Sequence, residues 1–461
     1  MVNSAYEGLL DYQAGQADPK LVGRLATAWK ANADNTEFTF TLRDGVTFHD
    51  GTPFTAAAVK NSFDRRVKVD GGPAYMVKGI KSVTTNGDHE VTVRLSSPNA
   101  SFLDLLASPF GPKMISPTAL KAHPWTGEDN DWFATNDAGT GPYEYTGFNP
   151  GVSYALKSYS SYWGSKPGYA NVDFSVVSNM STVQLQLQHG DVDGLIGYTD
   201  SASFSSLKKV SNLKSYAFPS MQTPTLFVNP KSATLGDDAT RKSFVAGIDF
   251  PTLAKTALGD TGTSTTQVFP QNLLPADENQ QKITYDAGAL TALAGGRLSG
   301  RTIKCGYAES SSSGQALCDN LTAMLNQKGI KASSAGYAAG TYYSGLGKGK
   351  DAPDVTFFSG FPDTASPDAW GFVFYTPDGG LDLFGASVPG LADKLGEAAA
   401  KNDDALYGQA AAMVSESAYW YSVANSLGTA VFQSDVTGVD TSWNPVITGV
   451  LQLQDLSPAG K

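Results

Sequence analysis

Phe38-Thr39-Phe40-Thr41-Leu42-Arg43-Asp44-Gly45-Val46-Thr47-Phe48-His49-Asp50-Gly51-Thr52-Pro53-Phe54-Thr55-Ala56 is the stretch on which the reading of this chain turns. Phe38, Phe40 and Leu42 alternate with Thr39 and Thr41, which places the three apolar side chains on one face of a strand. Asp44-Gly45 then separates this run from Val46 and Phe48, a pattern that predicts a hairpin turn. Residues 56–63 predict a short helix that starts near Thr55. A second hairpin follows, in which Ile80-Lys81-Ser82-Val83 is answered across Asn86-Gly87 by Val91, Val93 and Leu95. Together these elements predict a β-rich unit over residues 30–135, ending in an aromatic, polar stretch around Trp125-Thr126-Gly127 and Trp132.

The chain around this unit has 461 residues, three times the ~150 of a typical domain, so two or three cores are expected. Apolar residues make up 41% and charged residues 17%, and no stretch approaches the ~18 apolar residues of a membrane span. The 33 Lys and Arg are outnumbered by 44 Asp and Glu, giving a net charge of −11 with no basic block interleaved with aromatics, so nucleic acid is not expected as a partner. Met1-Val2-Asn3-Ser4-Ala5-Tyr6-Glu7-Gly8-Leu9-Leu10 lacks the basic start and apolar run of a signal peptide, so the leader of an exported protein is expected to lie outside this sequence.

Helical periodicity rises in the second half. Residues 238–248 and 251–258 predict helices, the second capped by Asp249 with Pro251 in its first turn, where a missing N–H costs least. Thr302-Ile303-Lys304-Cys305 predicts a strand, residues 310–314 a flexible loop, and Leu317, Leu321, Met324 and Leu325 a helix face that stops at Gly329. This is a βα unit with its return strand starting at Ile330. Residues 354–358 predict another strand, followed by a Gly/Pro/Asp-rich loop over 359–366, and residues 391–414 a helical hairpin. Cys305 at the strand end and Cys318 in the first turns of the helix can close a short local disulfide, two buried thiols being the alternative.

Enzyme chemistry is hard to find. His49, His89, His123 and His189 show no metal-ligand spacing, and each reads as a turn or surface residue. Gly139-Thr140-Gly141 lacks the downstream Lys of a phosphate cradle and reads as a tight turn. The pairs Asp191/Asp193 and Asp403/Asp404 are explained by solvated faces and caps. What stands out is an aromatic set, Phe361, Trp370, Phe372, Phe374, Tyr375 and Tyr419-Trp420-Tyr421, beside Gly/Pro/Asp-rich loops. That composition suits both a core and a wet ligand cleft.

The 38–56 stretch closely resembles the signature of the oligopeptide/dipeptide-type (family 5) solute-binding proteins of ABC importers. Leu25-Ala26-Thr27-Ala28-Trp29, Gly139-Thr140-Gly141-Pro142-Tyr143, Leu187-Gln188-His189-Gly190-Asp191-Val192-Asp193 and residues 241–249 fall in the family's order, spanning nearly the whole chain. Val183, Leu185 and Leu187 alternate like a strand, whereas the resemblance implies a helix there, and the helix is the expectation. Ala57-Ala58 departs from the usual acidic pair, and the ~30 residues that usually precede the "YEGL" block are not in this sequence.

The resemblance implies an α/β, two-lobed periplasmic-binding-protein-like fold of the cluster C type, whose lobes close on a ligand about a two-strand hinge. Residues 1–29, 136–228 and 430–461 would form lobe 1, with 30–135 as its β-rich subdomain, and 229–429 lobe 2; the crossings would fall near 225–229 and 426–429. The implied function is capture of a peptide or peptide-like compound and its delivery to an ABC transporter permease, with no enzymatic step and no cofactor or metal. A sugar, opine or metal chelate is the alternative ligand, and a secreted carboxylate-dependent hydrolase the remote one. The protein would be a monomer, extracellular or periplasmic, held to the membrane through a lipidated N-terminus outside this sequence.

In peptide-binding members an Asp in a motif resembling "GWxADYPDP" pairs with the peptide ammonium. Ser359-Gly360-Phe361-Pro362-Asp363-Thr364-Ala365-Ser366-Pro367-Asp368 keeps the Asp-to-Pro spacing, so Asp363 takes that place, with Phe361 near the position of the family Trp. Trp370, Trp420 and Tyr421 are expected as apolar walls. Met221, Gln222 and Asn425, near the implied crossings, complete the expected ligand-binding set.

Overall fold

The computed structural model describes residues 2–127, 132–177, 179–197, 200–347, 352–377 and 379–460. The chain divides into two compact units. Unit 1 comprises Met1–Ile196, Leu207–Tyr216 and Ala430–Lys461, and unit 2 comprises Gly197–Ser206 and Ala217–Thr429. Residues 217–228, assigned from sequence to the first lobe, group with the second unit, and 223–228 of them pair inside its sheet.

In unit 1, β1 (Ala26–Ala31), β2 (Glu37–Leu42), helix α1 (Ala56–Val69), β3 (Ile80–Asn86) and β4 (Glu90–Leu95) build a four-stranded antiparallel sheet of order β1-β2-β4-β3. Phe38, Phe40 and Leu42 of β2 and Val91, Val93 and Leu95 of β4 are buried on one face, as period-2 alternation requires. Helix α1 extends beyond residue 63 to Val69 and buries Ala58, Val59 and Phe63. The β3–β4 hairpin forms, but the hairpin across Asp44-Gly45 does not. Strand β2 is already paired on both edges, by β1 and β4, so residues 46–48 find no free edge. The chain turns away through Gly45 at φ +72°, and Thr47 bridges Pro53 instead.

A three-stranded antiparallel sheet follows, made of β5 (Tyr143–Asn149), β6 (Ser153–Ser158) and β7 (Asn171–Ser175). Helix α2 (Met180–His189) then forms where strand-like alternation competed with the family expectation. Asn179 caps it by accepting from the Thr182 N–H, and Gly190 ends it in the left-handed region, which fixes the segment as a helix. Gly139-Thr140-Gly141 is not a turn but a close backbone crossing. A Cβ on Gly139 would lie 2.0 Å from the Ala5 carbonyl oxygen and one on Gly141 2.4 Å from that of Ser4.

Unit 2 is built on β8 (Thr223–Val228), α3 (Asp238–Ala246), α4 (Phe250–Leu258), β9 (Thr302–Ala308), α5 (Ser312–Gln327), β10 (Lys331–Tyr337), β11 (Val355–Gly360), α6 (Pro367–Tyr375), α7 (Leu391–Lys401), α8 (Asp404–Ser417) and β12 (Trp420–Ser422). Its five-stranded sheet runs β10-β9-β11-β8-β12, with β10, β9 and β11 parallel and β8 antiparallel to both β11 and β12. The βα unit predicted from Thr302 onward is β9-α5-β10. Asp249 caps α4, with Pro251 in the first turn.

One face of this sheet presents Leu226, Val228, Ile303, Cys305, Val355 and Phe357 to Leu317, Leu321 and Leu325 of α5 and to Phe250 and Leu253 of α4, all in one buried cluster. Each such side chain fully removed from water contributes about 1.5–3 kcal/mol. Cys305 on β9 and Cys318 on α5 are joined by a disulfide within this layer. Arg241, only 3% exposed, is held by its own contacts: Nε donates to the Ser417 carbonyl at 2.9 Å, Nη2 reaches Asp238 at 2.7 Å, and the guanidinium lies 3.8 Å from the Tyr419 ring centre. It ties α3 to the end of α8.

Candidate functional site

Strands β9 and β11 run in parallel, with Gly306 opposite Thr356, so their carboxyl ends arrive together. After β9 the chain passes through Glu309-Ser310-Ser311 into α5, and after β11 through residues 361–366 into α6. The antiparallel β8 has Thr223 opposite Gly360, which brings Met221 and Gln222 to the same end of the sheet. Beyond β12 the chain returns along β8: the Val423 N–H donates to the Pro224 carbonyl at 2.8 Å and the Ser426 N–H to the Gln222 carbonyl at 2.9 Å. Asn425 therefore belongs here too. The crevice outside the carboxyl ends of parallel strands is where open α/β sheets bind ligands, because loops there can vary without disturbing the sheet.

Five of the eight residues expected at the ligand are thus brought together by topology: Phe361, Asp363, Met221, Gln222 and Asn425. Phe361, Asp363, Gln222 and Asn425 are half-buried, and Met221 is buried. The other three stand apart. Trp370 and Trp420 are 0% and 1% exposed, Trp370 stacked on Phe374 at 3.9 Å and Trp420 beside Tyr375 at 5.3 Å. Tyr421 stacks on Phe250 at 3.7 Å, against the α4 and α5 layer. Trp420 and Tyr421 are consecutive strand residues and point to opposite faces of the sheet, so they cannot form one wall.

Around the five residues runs a polar rim that sequence reading did not single out. Gln222 Nε2 donates to the Ser359 carbonyl at 3.3 Å, and Ser359 Oγ pairs with Ser313 Oγ at 3.2 Å. Gln271 Nε2 donates to the Ser220 carbonyl at 2.8 Å, and the Gln222 N–H to Ser220 Oγ at 2.9 Å. Ser311 caps α5 by accepting from the Gly314 N–H. Two further polar atoms are buried with no hydrogen-bond partner among the described residues, Oγ1 of the fully buried Thr364 and Oδ1 of Asn425. The position of these groups at strand ends was the signal available; their residue types alone carry none.

The charge at this rim has one sign. Residues 219–223, 309–314, 358–368 and 424–426 contain Glu309, Asp363 and Asp368 and no Lys, Arg or His. No group of three or more His, Cys, Asp or Glu side chains suited to a metal ion occurs among the described residues. The rim offers carboxylate and amide oxygens, and amide and hydroxyl donors.

Residues 20–382 match the model of the bacterial extracellular solute-binding proteins, family 5. The chain belongs to this family. It is 29% identical over 284 residues to the probable D,D-dipeptide-binding periplasmic protein DdpA of Escherichia coli K12, covering 61% of this chain and 54% of that protein. It is 27% identical over 385 residues to the glutathione-binding protein GsiB of the same strain, covering 80% and 71%. The chain thus spans about half the length of the first of these relatives. Among solved structures, NikA from Brucella suis in complex with Fe(III)-EDTA superposes with a TM-score of 0.85 at 21% identity, covering 99% of this chain and 94% of that one. The fold of this family 5 protein is therefore the mixed α/β fold of periplasmic binding proteins. No helix among the described residues is long and apolar enough to cross a membrane.

Proposed function

We propose that this protein binds a small solute with a free amine, most simply a peptide or peptide-like compound, at the polar rim of unit 2 and hands it to an ABC transporter permease. The observation that carries the reading is Asp363, a half-buried carboxylate on the loop that leaves β11, in a rim whose charged residues are all acidic. A carboxylate so placed meets an ammonium in a charge-assisted hydrogen bond that strengthens as water leaves. Thr364, Asn425 and Gln222 supply the acceptors and donors that orient a peptide unit. Trp370 and Trp420 act from behind as the packed support of the rim.

The names of the relatives support this choice of solute, since a D,D-dipeptide and glutathione both carry an amine and amide groups. Extracellular placement follows the family. A permease partner, a monomeric state and a lipid tether are parts of the same proposal. Native mass spectrometry of protein purified from its own host tests it. A bound mass of a small peptide or amino-acid conjugate is expected, and a sugar or a metal chelate in its place would overturn the choice of solute.

A further inference from the structure

A second recess lies wholly within unit 1, far along the chain from the rim just described. It has a volume of about 390 Å³ and is lined by His49, Asp50, Trp132, Asp137, Glu144, Tyr145 and Phe148, among others. His49 Nδ1 lies 2.8 Å from an Asp137 carboxylate oxygen and Nε2 2.9 Å from the Gly141 carbonyl oxygen. Both partners are acceptors, and although burial opposes it, the hydrogen bond and charge of Asp137 raise the pKa of the ring and favour its imidazolium form. Asp137 also accepts the N–H groups of Gly139 and Tyr145, both at 2.8 Å, and Asp50 accepts from the Thr52 N–H and the Ser116 hydroxyl. The Glu144 side chain, half-buried, makes no hydrogen bond or salt bridge among the described residues, and its charge acts on His49.

Three carboxylates therefore line the recess beside the His49 ring, with the exposed Lys157 opposite Glu144 on the neighbouring strand. Two of those carboxylates have already committed their oxygens to protein donors. They supply field but little capacity to accept further hydrogen bonds. A bare metal ion, with several anionic oxygens to recruit, is poorly served by such a site, where only Glu144 keeps its carboxylate clear of donors among the described residues. A methylated ammonium has no such demand: it needs negative potential and apolar or aromatic surface, which Trp132, Tyr145 and Phe148 provide. The rings are held in place by their own contacts, Trp132 stacked on His123 at 4.2 Å and Phe148 edge-on to Tyr145 at 5.9 Å and to Tyr154 at 4.9 Å. We propose that this recess is a binding site for a small methylated ammonium compound, separate from the solute site of unit 2.

The test uses the full chain carrying Asp363→Asn, so that the unit 2 site does not respond, and follows the indole N–H resonance of Trp132, assigned through Trp132→Phe. Choline is the probe, with its uncharged isostere 3,3-dimethylbutan-1-ol and ammonium chloride as controls. The expected result is a saturable shift with choline at a Kd below about 10 mM, the range of one or two cation–π contacts beside an unpaired carboxylate. Neither control should saturate. Glu144→Gln, a surface-accessible change that leaves the His49–Asp137 pair intact, should weaken choline about threefold, the scale of a partly screened charge. No saturable shift, an equal shift with the isostere, or an affinity unchanged by Glu144→Gln would each overturn the proposal.

Discussion

Glu7 shows how much one side chain can organise. It is 3% exposed and its two oxygens accept from Arg24 Nε at 2.7 Å, Thr140 Oγ1 at 2.9 Å, Trp163 Nε1 at 2.9 Å and the Tyr162 hydroxyl at 3.0 Å. Three segments distant in sequence from Glu7 meet on its carboxylate, and Thr140 of the close Gly139-Thr140-Gly141 crossing is one of them. Glu7→Gln keeps the shape but leaves Arg24 without its counter-ion, so it should cost about 3–5 kcal/mol of unfolding free energy, as broken buried pairs do. Urea denaturation measures this, and a loss under ~1 kcal/mol would show the cluster to be marginal.

Two other residues have pKa values above the ordinary ones, and each loses its contribution to stability as pH rises. Burial alone would lower the His49 pKa, but the hydrogen bond and charge of Asp137 outweigh it and hold the ring above the ordinary imidazole value. Its stabilisation is complete below pH ~6.5 and is lost as pH rises through the folded value. The melting temperature of wild type over His49→Gln should therefore fall between pH 6 and 9; a constant gap would contradict the pairing. Burial pushes the Asp382 carboxyl up to about 7, and neither of its oxygens has a hydrogen-bond partner among the described residues. Its contribution is fullest below pH ~4 and is lost as pH rises through about 7. Asp382→Asn should raise the melting temperature at pH 8.5 and leave it nearly unchanged at pH 4.5.

At the scale of elements, the β9-α5 unit was readable because its signals are local: a strand run, a helix face at i, i+4, and Gly329 at φ +84° after the last turn. The disulfide joins its two parts across a separation of 13 residues. Closing a loop of that size is worth about 3 kcal/mol in the chain-entropy model. The unreduced, denatured protein should show no titratable thiol and should lose about that much stability on reduction; two free thiols would refute the bridge.

The Asp44-Gly45 hairpin was misread for a non-local reason, since only the sheet order reveals that β2 has no edge to spare. The aromatic set was half legible. Its residues do gather in unit 2, but period 2 sends Trp420 and Tyr421 to opposite faces, and packing rather than ligand claims Trp370. Ser313, Ser359 and Thr364 could not have been picked out, because small polar residues are common and only their place at the strand ends distinguishes them.

At the scale of the whole molecule, residues 20–382 place the chain in its family, while the family alone does not name the solute. The account stands on Asp363 as the partner of a solute amine. Calorimetry of the wild type and of Asp363→Asn, each titrated with a peptide that binds and with its N-acetylated form, tests that claim most directly. Removing the carboxylate should cost about 2–5 kcal/mol of affinity for the free amine, because the ammonium is left unpaired. The acetylated peptide should bind weakly to both proteins and distinguish them by no more than ~1 kcal/mol, the scale of an ordinary hydrogen bond. A loss below ~1 kcal/mol for the free amine as well would contradict the account and leave Asp363 a loop residue.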